Sequence, residues 1–271
     1  MGIMKGRGRL ALIAIMILVV CLWLPFLRTW VLPALTALLA FGGVRELHRM
    51  AGHLNIEFSF VVTAAVCVVI VLLGTIPIEV FPRVLLLCMM LGMIGFFVVQ
   101  MHRYGIPGAL PASAASIFCM VYIAVPMALS LQVLRMDRLF LLFGLFLIWM
   151  ADSGAYFAGR LLGKHQFAPN LSPKKTWEGI AGGFVTCVVG AALFTWIVPH
   201  LAFPYSTRSC MVIAAIISIV APAGDLAESV LKRDSGVKDS GRGMGGHGGV
   251  LDRIDSMLFC MPIYYAFLVH L

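Results

Sequence analysis

Charge is what this sequence has least of. Only 12% of its 271 residues are Asp, Glu, Lys or Arg, against 61% hydrophobic, whereas soluble domains carry about 25% charged residues. A water-soluble fold of this length would lack the polar surface to cover its outside, so its solvent is lipid. Paired cysteines are lacking too. Cys21, Cys67, Cys88, Cys119, Cys187, Cys210 and Cys260 fall one to an apolar stretch, with no CxxC pair and no histidine pattern nearby. That argues against disulfide or zinc roles and for small buried hydrophobes. No internal repeat, low-complexity tract or linker interrupts the chain, and the length suits one compact bundle without a separate soluble domain.

What the sequence does have is a series of long apolar runs. A membrane-spanning helix needs about 20 mostly apolar residues, and nine candidates stand out: roughly 10–27, 29–44, 59–78, 83–100, 109–131, 138–158, 179–199, 209–228 and 255–270. The expected fold class is therefore all-α, a polytopic integral membrane bundle of about nine transmembrane helices. The first run reads as a retained helix, because no small-residue cleavage site follows it. With the N-terminus placed in the cytoplasm, fifteen of the twenty Lys and Arg fall on the cytoplasmic side, and only Arg28, Arg83, Arg135, Arg138 and Arg208 fall opposite. That bias predicts an N-in, C-out topology in the cytoplasmic (inner) membrane.

Carboxylates are distributed as unevenly. Eight of the twelve lie between Asp152 and Asp255. Residues 1–137 are accordingly expected to be scaffold, and 138–271 the catalytic region of one integrated domain. Three segments carry the chemistry, all predicted at the cytoplasmic face. The first, Asp152 to Arg160, places an aspartate at the end of an apolar span, where it is costly and marks function by default. The second, Ser172-Pro-Lys-Lys-Thr-Trp-Glu-Gly179, reads as the start of the seventh helix. A helix N-terminus with Lys174, Lys175 and the hydroxyls of Ser172 and Thr176, beside Glu178, suits a phosphate.

The third segment is the richest. Asp225, Glu228 and Ser229 share one helix face at i, i+3 and i+4, as do Asp252 and Asp255 at i, i+3. Lys232, Arg233, Lys238 and a glycine-rich stretch with His247, Gly248 and Gly249 lie between these acidic ends. Carboxylates bind a hard cation that bridges to substrate phosphates, glycines let backbone amides approach, and basic residues neutralise charge. A mobile loop or a solvated charged face does not account for so many charges in so apolar a chain.

These residues resemble a known signature. The run Ser229-Val-Leu-Lys-Arg233, Lys238-Asp239 and His247-Gly-Gly-Val-Leu-Asp-Arg-Ile-Asp255 closely resembles that of phosphatidate cytidylyltransferases (CDP-diacylglycerol synthases). The blocks Asp152–Arg160 and Ser172–Gly179 are similar to that family as well. Met244-Gly245 departs from the family pattern, where a larger aliphatic and a proline are expected. The resemblance implies transfer of CMP from CTP to phosphatidate with release of pyrophosphate, dependent on Mg2+, with a second cation left open. It implies Asp225 and Asp252 as metal ligands with Asp255 and Asp152 as secondary candidates. Lys174, Lys175, Lys238 and Arg253 would hold phosphates, and His247 would donate to a phosphate or anchor its loop. Expected partners are CTP, phosphatidate and the bilayer; no nucleic acid is expected, and a homodimer is left open. The competing readings are another CTP-dependent lipid-phosphate cytidylyltransferase or lipid kinase, and an ion-coupled transporter. The transporter is disfavoured by the lack of an inverted pair of broken helices.

Overall fold

A computed structural model describes residues 16–169, 171–198, 205–241 and 248–270. In lipid every backbone N–H and C=O must be satisfied within its own segment, which leaves helices as the economical solution for apolar runs. The helices are α1 (Leu27–His53), α2 (Phe60–Leu73), α3 (Phe81–Arg103), α4 (Ala109–Met136), α5 (Arg138–Leu162), α6 (Trp177–Ile197), α7 (Thr207–Asp234) and α8 (Leu251–His270). Six of them, all but α2 and α8, are long and apolar enough to cross a membrane. The protein is an all-α polytopic membrane bundle.

The boundaries differ from the sequence expectation in ways that matter. The first expected span begins outside the described residues; from Met16 the chain is helical, bends at Leu24, and runs through a π turn at Leu27–Val31 into α1 without an intervening loop. The second span was expected to end at 44, yet the helix continues to His53, so Arg45, Glu46 and Arg49 are helical. Likewise α7 continues to Asp234 instead of stopping at 228, which places Lys232 one turn beyond Glu228. In these extensions Glu46 and Lys232 find tertiary partners on another helix, a factor hydropathy does not see.

A second correction concerns 166–176. Ser172–Gly179 was expected to open a helix, but Ser172–Thr176 forms a strand, β2, paired antiparallel with β1 (Gln166–Ala168) in the register Gln166↔Thr176 and Ala168↔Ser172. The helix begins one residue later. Thr176 is its N-cap, with Oγ1 accepting from the Gly179 N–H at 3.1 Å, which satisfies one of the orphan donors of the first turn.

Two contacts bring the chemistry-bearing helices together. α5 and α6 pack through Ala151, Ala155 and Gly159 against Gly179 and Gly183; a Cβ at Gly183 would lie 2.7 Å from the Ala151 carbonyl oxygen. Small residues at four-residue spacing allow such backbone approach in membranes. α7 meets α8 at Gly224, where a Cβ would stand 2.6 Å from the Asp255 carbonyl oxygen. On the other side α4 is the most buried span, while α3 and α6 present Leu87, Leu91, Ile94, Val185, Val189 and Leu193 outward. All seven cysteines are free, six buried and Cys88 half-buried.

Candidate active site

The carboxylates predicted from sequence gather at one end of α5, α7 and α8, in two adjoining groups. The first consists of Asp152 on α5, Asp225 on α7 and Asp255 on α8, with Lys175 reaching in from β2. Lys175 Nζ lies 2.9 Å from Asp225 Oδ2 and donates to the Pro222 carbonyl at 3.1 Å. Asp152 interacts electrostatically with Asp225 and Lys175, and Asp255 with both Asp225 and Asp152. Internal neutralisation is sparse. Asp255 Oδ1 accepts from the Ser256 N–H at 2.7 Å, and Asp152 accepts no hydrogen bond among the described residues. The Asp225 side chain remains 43% exposed.

The second group is Glu228 on α7, Asp252 on α8 and Glu46 on α1, around Lys232. Lys232 Nζ donates to Glu228 Oε2 at 3.0 Å and to Asp252 Oδ1 at 2.6 Å. Asp252 Oδ2 accepts from the Gly249 N–H at 2.7 Å and lies 2.9 Å from Ser240 Oγ. Glu46 accepts from the Val250 N–H at 2.8 Å and the Leu251 N–H at 2.9 Å, and its Oε2 lies 3.0 Å from the same serine hydroxyl. These amides open α8, whose free donors and dipole favour a carboxylate. Glu46, Glu228 and Ser240 are buried. Glu228 Oε1, at the boundary between the groups, has no hydrogen-bond partner among the described residues.

The remaining sequence candidates separate by what they touch. Glu178 binds the hairpin to α6: its Oε1 is 2.6 Å from His165 Nδ1, and its Oε2 accepts from the Lys164 and His165 N–H groups at 3.2 and 3.3 Å. Thr176 caps α6. Lys174 and Lys238 are exposed, Ser172 and Ser229 half-buried, and Arg233 and Arg253 exposed on α7 and α8. Gly248 takes a left-handed φ of 86° beside Asp252, a conformation glycine adopts without strain. His247, Met244 and Gly245 lie outside the described residues.

Sequence reasoning missed Glu46, Ser240 and His165. Glu46 was assigned to scaffold because it is isolated in an apolar region; its distance of about 200 residues from its partners leaves no local signal. Its one clue was a lone carboxylate beyond the end of an apolar run.

The pattern that defines the cytidylyltransferase family matches residues 5–271. The chain belongs to that family. Among curated relatives it is similar to the phosphatidate cytidylyltransferase of Bacillus subtilis, 42% identical over 148 residues, 54% of each chain. It is similar to that of Haemophilus influenzae, 45% identical over 131 residues, 48% of this chain and 46% of the relative. The Brucella suis protein of the same name is 44% identical over 144 residues, 52% of each. The chain thus covers about half the length of the curated relatives it matches.

For a cytidylyltransferase the relevant question is whether this end of the bundle suits a cation and polyphosphate. Among the described residues no three His, Cys, Asp or Glu side chains close around a point as a ready-made metal cage. Mg2+ does not ask for one: it keeps several waters and takes one or two carboxylates together with substrate phosphates. Asp152, Asp225 and Asp255 are hard oxygen donors, accessible and under-neutralised, and they fit that demand. Asp252 fits it less well, since both its oxygens are already engaged.

Proposed function

We propose that this cytidylyltransferase transfers CMP from CTP to phosphatidate, forming CDP-diacylglycerol and pyrophosphate. The observation that carries the reading is the first carboxylate group: three aspartates from three helices, with one lysine, at the end of a lipid-embedded bundle. A nucleotide-bound cation needs such donors, and a lipid phosphate needs a site at headgroup level. The names of the relatives supply the substrate class.

In this reading a phosphatidate oxygen attacks the α-phosphorus of CTP. A new P–O bond forms, the α–β bridging bond breaks, and pyrophosphate takes the electron pair. A phosphate monoester is largely ionised near neutral pH, so no strong base is required, and catalysis rests on positioning and charge neutralisation. Asp225, with Asp152 and Asp255, would hold Mg2+, which when bound screens the phosphate charges. Lys175 stands where it can exchange Asp225 for a phosphate oxygen. Lys174, Ser172, Lys238 and Arg253 would hold the triphosphate or the lipid phosphate. Asp252, held by Lys232, binds Ser240 and the Gly249 N–H.

The test is the product formed by purified protein from labelled CTP and defined lipid phosphates. CMP-linked lipid plus pyrophosphate, dependent on Mg2+ and strongest with phosphatidate, is expected. Phosphorylated lipid plus CDP would assign a kinase instead. We further propose that this end faces the cytoplasm, where CTP is found. Single cysteines at Pro173 and Asp239, both exposed, in a cysteine-free background should be labelled by an impermeant maleimide from the cytoplasmic side alone; labelling of either from outside refutes the sidedness.

A further inference from the structure

At the other end of α5, far from the carboxylates, a cavity of about 560 Å3 opens between the π turn that begins α1, the end of α2 and the α4–α5 connection. Fourteen residues separate Arg138 from Asp152, roughly 21 Å of helix at 1.5 Å per residue. Arg28, Arg135 and Arg138 line the cavity, beside Thr75 and the apolar Leu131 and Leu134. These are three of the five basic residues that the charge bias places on the non-cytoplasmic side, where Lys and Arg are otherwise scarce. Spending three of five on one cavity calls for an anionic occupant.

The side-chain geometry agrees. Arg135 donates through one guanidinium nitrogen to the Thr75 carbonyl at 3.1 Å, leaving its other donors for a ligand. Arg138 stacks 5.0 Å from the Trp23 ring centre, a contact that holds the guanidinium without neutralising it. Arg28 sits in the π turn, its backbone N–H donating to the Leu24 carbonyl at 3.0 Å, and its guanidinium has no hydrogen bond or ion pair among the described residues. Among the described residues lining the cavity the one carboxylate is Asp137, whose Oδ1 caps α5 by accepting from the Leu139 N–H at 2.7 Å. No carboxylate among the described residues comes within 4.0 Å of the three guanidinium groups.

We propose that this cavity binds the phosphate of an anionic phospholipid from the leaflet opposite the carboxylate site. Guanidinium forks match phosphate oxygens in pairs. The cavity lies at helix ends, the depth of headgroups, and Leu131 and Leu134 supply an apolar wall for the glycerol and upper acyl segments. A bound lipid there ties the starts of α1 and α5 to the end of α2. The site is separate from the substrate site and stands whether or not the transferase reading holds.

Native mass spectrometry of delipidated full-length protein tests it, with phosphatidylglycerol, phosphatidylcholine and inorganic phosphate as probes. Phosphatidylglycerol should be retained about tenfold better than phosphatidylcholine, the scale of one charge-assisted hydrogen bond. Arg28→Ala/Arg135→Ala should abolish that preference while keeping CTP-dependent activity, which shows that the variant is folded; Asp225→Asn should keep the preference. Equal retention of the two lipids, or a preference unchanged in the double variant, overturns the proposal. So does a preference lost only in Asp225→Asn, and so does thermal protection by inorganic phosphate equal to that by phosphatidylglycerol, which would assign a free-oxyanion site.

Discussion

The two carboxylate groups have the same formal composition, three acids and one lysine, yet opposite electrostatic situations. Around Lys232, Glu46 and Asp252 are met by three backbone N–H groups, a serine hydroxyl and the positive end of α8. Around Lys175 the described donors are the lysine itself and the Ser256 N–H. Buried charge is tolerated when it is paired and hydrogen-bonded and is costly otherwise. The Lys232 group is satisfied at every carboxylate oxygen but Glu228 Oε1 among the described residues and holds structure; the Lys175 group has few internal donors, which in the proposed reading leaves it open to a cation that arrives with substrate. The same residue types serve architecture or chemistry according to how many donors the backbone delivers.

The largest effect that would sharpen this contrast is expected from Asp225→Asn. Activity should fall by about two orders of magnitude or more, the scale of losing one strong electrostatic contact to the transition state, while the melting temperature without metal changes little. Mg2+ should raise the melting temperature of the wild type by mass action and fail to do so in this variant. If Asp252→Asn abolishes the Mg2+ protection and Asp225→Asn keeps it, the roles of the two groups are reversed.

Next in size is Glu46→Ala, which leaves the Val250 and Leu251 amides unpaired at about 1–3 kcal/mol for each buried donor. The expected result is a protein with a markedly lower melting temperature whose residual activity still responds to Mg2+. Glu46→Gln keeps one acceptor and should fall between. A Glu46→Ala protein of wild-type thermal stability would show that the second group is not structural.

Smaller is Gly224→Ala, whose methyl group would meet the Asp255 carbonyl and push α7 from α8. Overpacking of this kind costs about 1–3 kcal/mol, and separating Asp225 from Asp255 should weaken Mg2+ protection more than it weakens the fold. Mg2+ protection equal to that of the wild type would show that the two aspartates act independently.

Composition and run length settled the solvent, because a chain with so few charges cannot cover itself in water. Charge placement pointed to one end of the C-terminal spans, because carboxylates in apolar helices are too costly to be incidental. Helical periodicity put Asp225 and Glu228, and Asp252 and Asp255, on shared faces, since three- and four-residue spacings are read within one segment. Which helix ends meet is not written in any segment. Only the tertiary structure set Asp225 with Asp152 and Lys175 and gave Asp252 to Lys232 and Ser240, through the close approach at Gly224. Only it carried Glu46 from α1 to the start of α8, since a hydrogen bond across about 200 residues leaves no period to read. The β1–β2 hairpin was hidden for a related reason: its strands are only three and five residues long, and they exist by pairing with each other and by the hold of Glu178 on His165.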